Sequence, residues 1–220
     1  MSETDIGAFI TAQTRISAAA LIPELRLHLA SQVTPLWHAT EATLEKHNLP
    51  PPYWAFAWPG SQALARHVLD HPDLVRGQRV LDFAAGGAVA GIAAAISGAR
   101  VTACDIDAVA VAAMAMNAAL NGATITAVQA DFTLGAPDGV AKDVDLVLAG
   151  DVFYERPMAE RVEPWLRRLV RDGVAVLVAD PGRAYLPKSG LQELARYVVP
   201  TSRDLEDRET RETRIFRLTG

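Results

Sequence analysis

Short apolar runs alternate with longer, periodically apolar segments from residue 78 onwards. The short runs predict buried strands, and the segments between them predict amphipathic helices. Near-continuous apolar strands that alternate with helices are typical of a doubly wound α/β fold, in which helices cover both faces of a mostly parallel sheet. The predicted strands are Arg79–Asp82, Arg100–Cys104, Ile125–Gln129, Val144–Ala149 and Val174–Ala179, and the helices between them are Val89–Ser97, Ala108–Leu120 and Met158–Val170.

The pattern changes after the fifth strand. The C-terminal segment predicts a helix over Lys188–Ala195, a strand near Tyr197–Ser202 and a last strand near Thr213–Leu218. No helical pattern separates these two strands, and adjacent strands without a crossover helix usually pair in antiparallel fashion. We therefore expect a terminal hairpin at the edge of the sheet.

The N-terminal segment differs from the rest of the chain. Residues 5–47 carry apolar positions at loosely helical spacing, interrupted at Pro23, and Leu36–His47 is the second helical stretch. The prolines at 50–52 cannot continue a helix, and a new helix is predicted over Gly60–Leu69. The chain is predicted to be one domain over residues 1–220, with a helical N-terminal extension (1–50) and a Rossmann-like core (51–220).

Composition and charge narrow the classes of function. Half of the 220 residues are apolar, which is enough for one buried core. One cysteine cannot form an internal disulfide framework, and the five histidines lack paired ligand spacing, so no metal site is predicted. A net charge of −5 argues against a nucleic-acid partner, but it tolerates a lysine-bearing protein. Without a recognisable signal peptide or membrane span, we expect a cytoplasmic monomer.

Every predicted parallel strand is followed by an acidic residue. In an open parallel sheet, ligands bind beyond the carboxyl ends of the strands, where the strand order reverses. Acidic side chains at these ends are therefore candidates for ligand contacts. They are Asp82, Asp105, Asp131, Asp151 and Asp180.

The turn after the first strand is built from small residues between Ala84 and Ala88, so its backbone can approach a ligand closely. It lacks the G-x-G-x-x-G spacing of dinucleotide sites and the Gly-Lys-Ser/Thr of a P-loop. Asp82 disfavours a phosphate here and suits the amino group and sulfonium of S-adenosylmethionine. An alternative interpretation is that the turn only packs tightly under the following helix.

The acids after the second and third strands extend this hypothesis. A carboxylate such as Asp105 accepts two hydrogen bonds from a ribose diol. Asp131 and Phe132 suit an adenine, with the acid near the exocyclic amine and the ring along the base. The alternative interpretations are that Asp105 caps the next helix and that Asp131 is an ordinary turn residue.

Three segments carry a resemblance to a known family. They are Trp54-Ala55-Phe56-Ala57-Trp58-Pro59-Gly60, Asp151-Val152-Phe153-Tyr154 and Asp180-Pro181-Gly182-Arg183. With the small-residue turn, they make residues 50–185 resemble the seven-β-strand, class I methyltransferases. Within these, the chain resembles the lysine-specific group with an Asp-x-x-Tyr/Phe motif, in particular the electron-transfer flavoprotein β-subunit lysine methyltransferases. One departure is Ala84, which replaces the first glycine of the usual Asp-x-Gly-x-Gly loop.

The resemblance implies a doubly wound, mostly parallel seven-stranded sheet and S-adenosylmethionine as cofactor. It implies an S-adenosylmethionine-dependent protein-lysine N-methyltransferase whose partner is the flavoprotein β subunit. It also implies cofactor contacts from a set of residues that begins before the first strand and ends after the fourth. These are Trp58, Asp82, Ala84, Gly86, Asp105, Ile106 and Asp131, with Ala149 or Gly150 under the methionine end.

The motif after the fourth strand supplies the candidate catalytic residues. Asp151 can accept a hydrogen bond from the substrate lysine and orient its nitrogen, either as a base or as an acceptor only. Phe153, Tyr154, Trp54 and Trp58 are predicted to wall the channel, where rings favour a methylammonium. The alternative interpretations are a helix cap for Asp151, a seat for the next helix for Phe153 and Tyr154, and core packing for Trp54.

Arg183 has two interpretations. It binds an acidic patch on the protein substrate, or it pairs with a neighbouring acid of its own chain.

Competing functions stay open from the sequence. The nearest is a class I methyltransferase that acts on a ribosomal protein or a small molecule. A partner-binding protein on the same scaffold is a non-catalytic alternative. A nicotinamide-dependent oxidoreductase is disfavoured because its glycine spacing is missing.

Overall fold

The computed structural model describes residues 3–30, 51–135, 143–201 and 203–219. The predicted helix over Leu36–His47 lies outside these residues. The helices are α1 (Glu3–Gln13), α2 (Pro59–Asp70), α3 (Val89–Ile96), α4 (Ala108–Leu120), α5 (Arg156–Arg171) and α6 (Arg203–Glu206). The strands are β1 (Arg15–Ala19), β2 (Ile22–Leu29), β3 (Arg79–Phe83), β4 (Arg100–Asp105), β5 (Ile125–Gln129), β6 (Leu146–Gly150), β7 (Ala175–Asp180), β8 (Leu191–Pro200) and β9 (Thr210–Leu218).

Seven strands form one sheet in the order β5-β4-β3-β6-β7-β9-β8. The first five in this order are parallel, and β9 pairs in antiparallel fashion with both β7 and β8. The strand order reverses at β3, which pairs with β4 on one side and with β6 on the other. This confirms the predicted doubly wound, mostly parallel α/β sheet, and it puts the ligand-binding edge at the carboxyl ends of β3, β4 and β6.

Two apolar cores lie on opposite faces of the sheet because successive strand residues point to opposite sides. On β6, Leu148 belongs to the core that includes the apolar faces of α2, α3 and α4. Its neighbours Val147 and Ala149 belong to the other core, where Trp165 and Leu166 of α5 pack. The carboxyl edge of the sheet thus lies between two buried apolar layers.

The predicted helix over Lys188–Ala195 is wrong, because Leu191–Pro200 forms strand β8. The segment has good helix formers, but β8 pairs with β9 from Leu191↔Leu218 to Pro200↔Thr210. Every second side chain in the later part of β8 faces inwards, namely Ala195, Tyr197 and Val199. Tertiary pairing has overridden local propensity here. The predicted antiparallel hairpin itself is confirmed.

The helical prediction for the N-terminal extension holds for Glu3–Gln13 but is wrong for residues 15–29. After α1, strands β1 and β2 form an antiparallel hairpin. Leu25 and Leu27 of β2 are buried while Arg26 between them is exposed, which is a strand period rather than a helix period. Asn117 of α4 accepts a hydrogen bond from the backbone of His28 at 2.8 Å, so the hairpin is fastened to the α/β core.

No helix in the described ranges combines the length and the apolar character that crossing a bilayer would require.

Candidate active site

A cleft of about 490 Å³ opens at the carboxyl edge of the sheet, where the strand order reverses. Most of the residues predicted to form the site line it. These are Trp54, Trp58, Ala84, Gly86, Asp105, Ile106, Asp131, Gly150, Asp151, Tyr154 and Arg183. The position of the cleft therefore follows from the topology, and its lining joins segments that are far apart in the chain.

Four predicted site residues do not line the cleft that the described residues form. They are Asp82, Phe132, Ala149 and Phe153, and all four are buried. Phe153 and Phe132 pack in the core around α5, so neither ring forms a wall of the cleft. In the turn after β6, Asp151 and Tyr154 line the cleft, whereas Val152 and Phe153 between them are buried in the core.

Asp82 connects the end of β3 to the following helix, α3. Its Oδ2 accepts a hydrogen bond from the backbone N–H of Gly91 at 2.7 Å. A Cβ at Gly91 would lie 2.8 Å from that oxygen, so the glycine lets α3 approach β3 closely. Burial raises the pKa of Asp82 to about 7. Asp82 therefore holds α3 against β3, and its predicted contact with the cofactor stays a prediction.

The loop between β3 and α3 takes left-handed backbone at alternate positions. Ala84, Gly86 and Ala88 have φ values of 52°, 53° and 57°. This conformation costs an alanine about 1–2 kcal/mol relative to its right-handed form, whereas glycine adopts it freely. The two alanines therefore introduce backbone strain where the usual loop of the family has a glycine at the first position.

Asp105 joins this loop to the start of the next helix. Its carboxylate accepts hydrogen bonds from the backbone N–H groups of Gly86 and Asp107, both at 3.0 Å. Burial raises the pKa of Asp105, and these two amide hydrogen bonds oppose the rise. A carboxylate has about four acceptor positions, so Asp105 retains capacity to accept bonds from a ligand. The helix cap itself is Asp107, whose side chain accepts from Val109.

Asp131 caps the short 3₁₀ turn at Phe132–Leu134. One oxygen of its carboxylate accepts from the backbone N–H and the hydroxyl of Thr133, at 3.0 and 2.6 Å. The other lies 3.8 Å from the guanidinium of Arg161 on α5. Asp131 therefore closes a turn, as its alternative interpretation held, and it also lines the cleft.

Aromatic side chains form the wall between the loop and Asp151. The ring of Tyr53 contacts those of Trp58 and Tyr154 edge to face, at centroid distances of 5.7 and 5.6 Å. The indole N–H of Trp58 donates to the carbonyl of Tyr53 at 2.9 Å. Trp54 is only 3% exposed and lies 6.3 Å from Phe9, so core packing is a large part of its role. Sequence reasoning did not select Tyr53, although it adjoins the tryptophan motif.

Asp151 lies at the end of β6 with a left-handed backbone, φ 55°. Its Oδ2 accepts a hydrogen bond from the N–H of Gly60 at 2.5 Å, and its Oδ1 lies 3.3 Å from Nη2 of Arg183. Burial raises the pKa of Asp151 to about 7, against the opposing effects of Arg183 and the Gly60 amide. The nearby acids Asp180 and Glu206 raise it further.

The close approach of α2 to β6 requires a glycine at position 60, in the first turn of α2. A Cβ at Gly60 would overlap the Asp151 carboxylate and would lie 2.7 Å from the carbonyl oxygen of Ala179. A Cβ at Gly150 would lie 2.9 Å from the amide nitrogen of Ser61. Two facing glycines therefore let the N-terminus of α2 touch the end of β6. This contact was missed by sequence reasoning because the two positions are far apart in the chain.

Arg183 follows β7 in a turn closed by Asp180, whose Oδ1 accepts from the N–H groups of Gly182 and Arg183 at 2.6 Å each. Its guanidinium pairs with both carboxylate oxygens of Glu206, and the Nη1–Oε2 distance is 3.0 Å. Of the two interpretations, the structure shows the pairing with acids of the same chain. Sequence reasoning also missed Glu206, which lies in a polar tail without a motif.

The fold is shared with solved methyltransferases. A magnesium protoporphyrin IX methyltransferase from Synechocystis PCC 6803 with bound SAM aligns with a TM-score of 0.51 at 16% identity, covering 85% of this chain and 96% of that one. A ribosomal protein L11 methylase from Lactobacillus delbrueckii subsp. bulgaricus aligns with a TM-score of 0.50 at 20% identity, covering 75% and 81%. At these identities the likeness supports the fold alone.

The sequence comparisons are more specific. The electron transfer flavoprotein beta subunit lysine methyltransferase of Xenopus laevis is 40% identical over 210 residues, covering 91% of this chain and 82% of the relative. The human protein of the same name is 36% identical over 203 residues, covering 91% and 75%. A family model described as lysine methyltransferase matches residues 53–194. The chain therefore belongs to the lysine methyltransferase family, enzymes that transfer a methyl group from S-adenosylmethionine to lysine in proteins.

Proposed function

We propose that this enzyme methylates a lysine of the electron-transfer flavoprotein β subunit. The observation that carries the proposal is the identity of 36–40% to relatives named for that substrate, over about nine-tenths of this chain. A shared fold alone would not support a substrate, since one scaffold serves many substrates.

The cleft fits S-adenosylmethionine in size and in chemistry. Its volume of about 490 Å³ lies within the usual range for a cofactor site. We assign the ribose hydroxyls to Asp105, whose carboxylate keeps acceptor positions beyond its two amide bonds. Ala84, Gly86, Ile106 and Asp131 complete the wall on this side, and Trp58 and Gly150 lie towards Asp151. When bound, the cofactor supplies an electrophilic methyl group on a sulfonium centre.

Asp151 is the residue we assign to the substrate nitrogen. A lysine has a reference pKa of about 10.4 and must lose its proton before its lone pair can attack. The Asp151 carboxylate can accept a hydrogen bond from that nitrogen and aim its lone pair along the cleft. With a pKa raised to about 7, it is also a stronger base than an exposed aspartate.

The aromatic wall has a complementary task. Tyr53, Trp58 and Tyr154 present rings beside Asp151, and ring faces attract cations such as a methylated ammonium. The same rings line one cleft with Asp151, so the amine of a lysine that reaches the carboxylate would lie beside them.

The proposal is tested with the flavoprotein itself. The β subunit would be produced in cells that lack this enzyme, so that its lysines start unmodified. Incubation with radiolabelled S-adenosylmethionine and the enzyme should label the β subunit, and mass spectrometry of peptides should place whole methyl increments on specific lysines.

Two comparisons make the result decisive. Ribosomal proteins from the same cells serve as the competing substrate, and heat-inactivated enzyme serves as the blank. Label on ribosomal protein with none on the β subunit would overturn the substrate proposal. A cytoplasmic location and a monomeric state stay as predictions, to be checked by fractionation and by light scattering.

A further inference from the structure

A buried three-residue ion network stands behind Asp151. Glu206 of α6 is only 3% exposed, yet it is ionically paired on two sides. Arg183 approaches both of its carboxylate oxygens, and Nε of Arg211 on β9 lies 2.9 Å from Oε2. Arg211 also donates to the backbone carbonyl of Glu206 at 2.9 Å, which fixes α6 in place.

The guanidinium of Arg183 contacts the carboxylates of Glu206 and Asp151 unequally. It makes a two-pronged pair with Glu206 but only one contact, of 3.3 Å, with Asp151. Two-pronged arginine–carboxylate pairs are the strong form of this interaction. Without Glu206, Arg183 would be drawn to form such a pair with Asp151, and it would then cover the oxygen that faces it.

We propose that Glu206 is a positioning residue, which restrains Arg183 so that Oδ1 of Asp151, which it contacts only once, keeps an acceptor position for the substrate lysine. This role rests on the proposed function of Asp151. It gives a reason for a charged pair in the interior of the enzyme, where a pair is otherwise costly and contributes little net stability. It also makes the C-terminal hairpin, which carries α6 between its strands, part of the active site.

Charged groups from several elements act on Asp151. Arg183 and Asp180 come from β7 and its following turn, and Glu206 comes from α6. Arg211 and Arg214 of β9 stand behind them, beside Glu206 and Asp180 respectively. The Gly60 amide of α2 completes the set. Arg183 lowers the pKa of Asp151 while Glu206 raises it, so removing one or the other should change it in opposite directions.

The experiment follows Asp151 directly. NMR of labelled aspartate carboxyl carbons, with the Asp151 signal assigned from the Asp151→Asn spectrum, gives its titration midpoint without any substrate. We expect Glu206→Gln to lower the midpoint by about one pH unit or more, because an acid is lost and Arg183 turns to Asp151. Arg183→Met should raise it by a similar amount. The double variant should return it to between the two.

Turnover is the second readout. Glu206→Gln should lower kcat about tenfold, with KM for the protein substrate within about twofold, since the acceptor is lost from the reacting lysine rather than from the binding surface. The acid limb of the kcat profile should move with the NMR midpoint. Glu206→Asp, which keeps the charge, should recover part of the rate. Glu212→Gln is the control, because Glu212 forms an exposed pair with Arg196 on the same hairpin.

The outcomes separate this role from the proposed function. The role of Glu206 would be overturned if the Asp151 midpoints of Glu206→Gln and Arg183→Met were the same, or if both shifted in the same direction from that of the parent. Active Asp151→Asn enzyme would instead remove the function assigned to Asp151. Should Arg183→Met fail to fold, Arg183→Lys takes its place, because lysine keeps the positive charge but cannot form the two-pronged pair. An Asp151 midpoint in Arg183→Lys equal to that of the parent would then count against the proposal.

Discussion

The two ends of the cleft hold their carboxylates in different ways. At the loop end, the carboxylate of Asp105 accepts hydrogen bonds from the backbone amides of Gly86 and Asp107. At the lysine end, Asp151 is held between the amide of Gly60 and the side chain of Arg183. Backbone amides are fixed by the fold, whereas a guanidinium can turn. The loop end is therefore built for a constant shape, and the lysine end for an adjustable charge.

Replacing Asp151 with asparagine tests this comparison most severely. Asparagine tolerates the left-handed backbone found here and can still accept the bond from Gly60, so the fold should persist. Losing the charge should lower kcat about a thousandfold, the middle of the range for positioned acid–base groups. A radiolabelled methyl assay measures the rate, and calorimetry should find cofactor affinity close to that of the parent. Turnover equal to the parent's would refute the role of Asp151.

Gly60→Ala should produce the next largest effect. The added Cβ would displace the Asp151 carboxylate, and a displacement of about 1 Å can cost about a hundredfold in rate. We expect kcat to fall between tenfold and a hundredfold, with cofactor affinity unchanged, because the loop end is not touched. The matched control is Gly7→Ala in α1, where nothing lies within 4 Å of a new Cβ. Parental kcat in Gly60→Ala would show that the contact with α2 does not hold Asp151.

Asp105→Ala tests the loop end. It removes the acceptor assigned to the ribose and the bond to Gly86, and hydrogen bonds to a charged group contribute about 1.5–3 kcal/mol. Cofactor affinity should fall at least about tenfold by calorimetric titration. At saturating cofactor, kcat should recover towards that of the parent. Asp73→Ala, which removes an exposed carboxylate far from the cleft, is the control. A Kd like that of the parent would contradict the assignment of Asp105.

The same division explains what could be predicted from the sequence. Asp105 and Gly86 lie at the end of one parallel strand and in the turn after its neighbour, so the spacing of strand ends and turns was sufficient to select them. Gly60 and Asp151 are brought together only by the topology of the sheet. Glu206 has no motif around it, and its role depends on a hairpin that pairs at the far edge. The sequence therefore selected Asp151 and offered the pairing of Arg183 with an acid, but it did not indicate the contacts from Gly60 and Glu206.

The errors in secondary structure have a related cause. Leu191–Pro200 contains good helix formers, and only its pairing with β9 makes it a strand. In β2, a strand period was interpreted as a loose helix because Leu21, Leu25 and Leu29 recur every four residues, a spacing that also fits a helix. In both segments the local signal is weak and a distant partner decides. The parallel strands β3 to β7 were predicted well because buried apolar runs admit few other interpretations.

Ala84→Gly should have the smallest effect, and it measures the backbone strain in the loop between β3 and α3. The substitution relieves a left-handed alanine, worth about 1 kcal/mol, but glycine also makes the unfolded chain freer by about 0.4–1 kcal/mol. The two contributions should nearly cancel, leaving the free energy of unfolding within about 0.5 kcal/mol of the parent. Its neighbour Ala85 is buried and does not have a positive φ. Ala85→Gly should therefore carry the entropic cost without relieving backbone strain, and its free energy of unfolding should fall by about 1 kcal/mol. The difference between the two variants in urea unfolding thus isolates the strain at Ala84. Equal losses would mean that this position is relaxed in solution and that the loop adapts to alanine rather than tolerating it under strain.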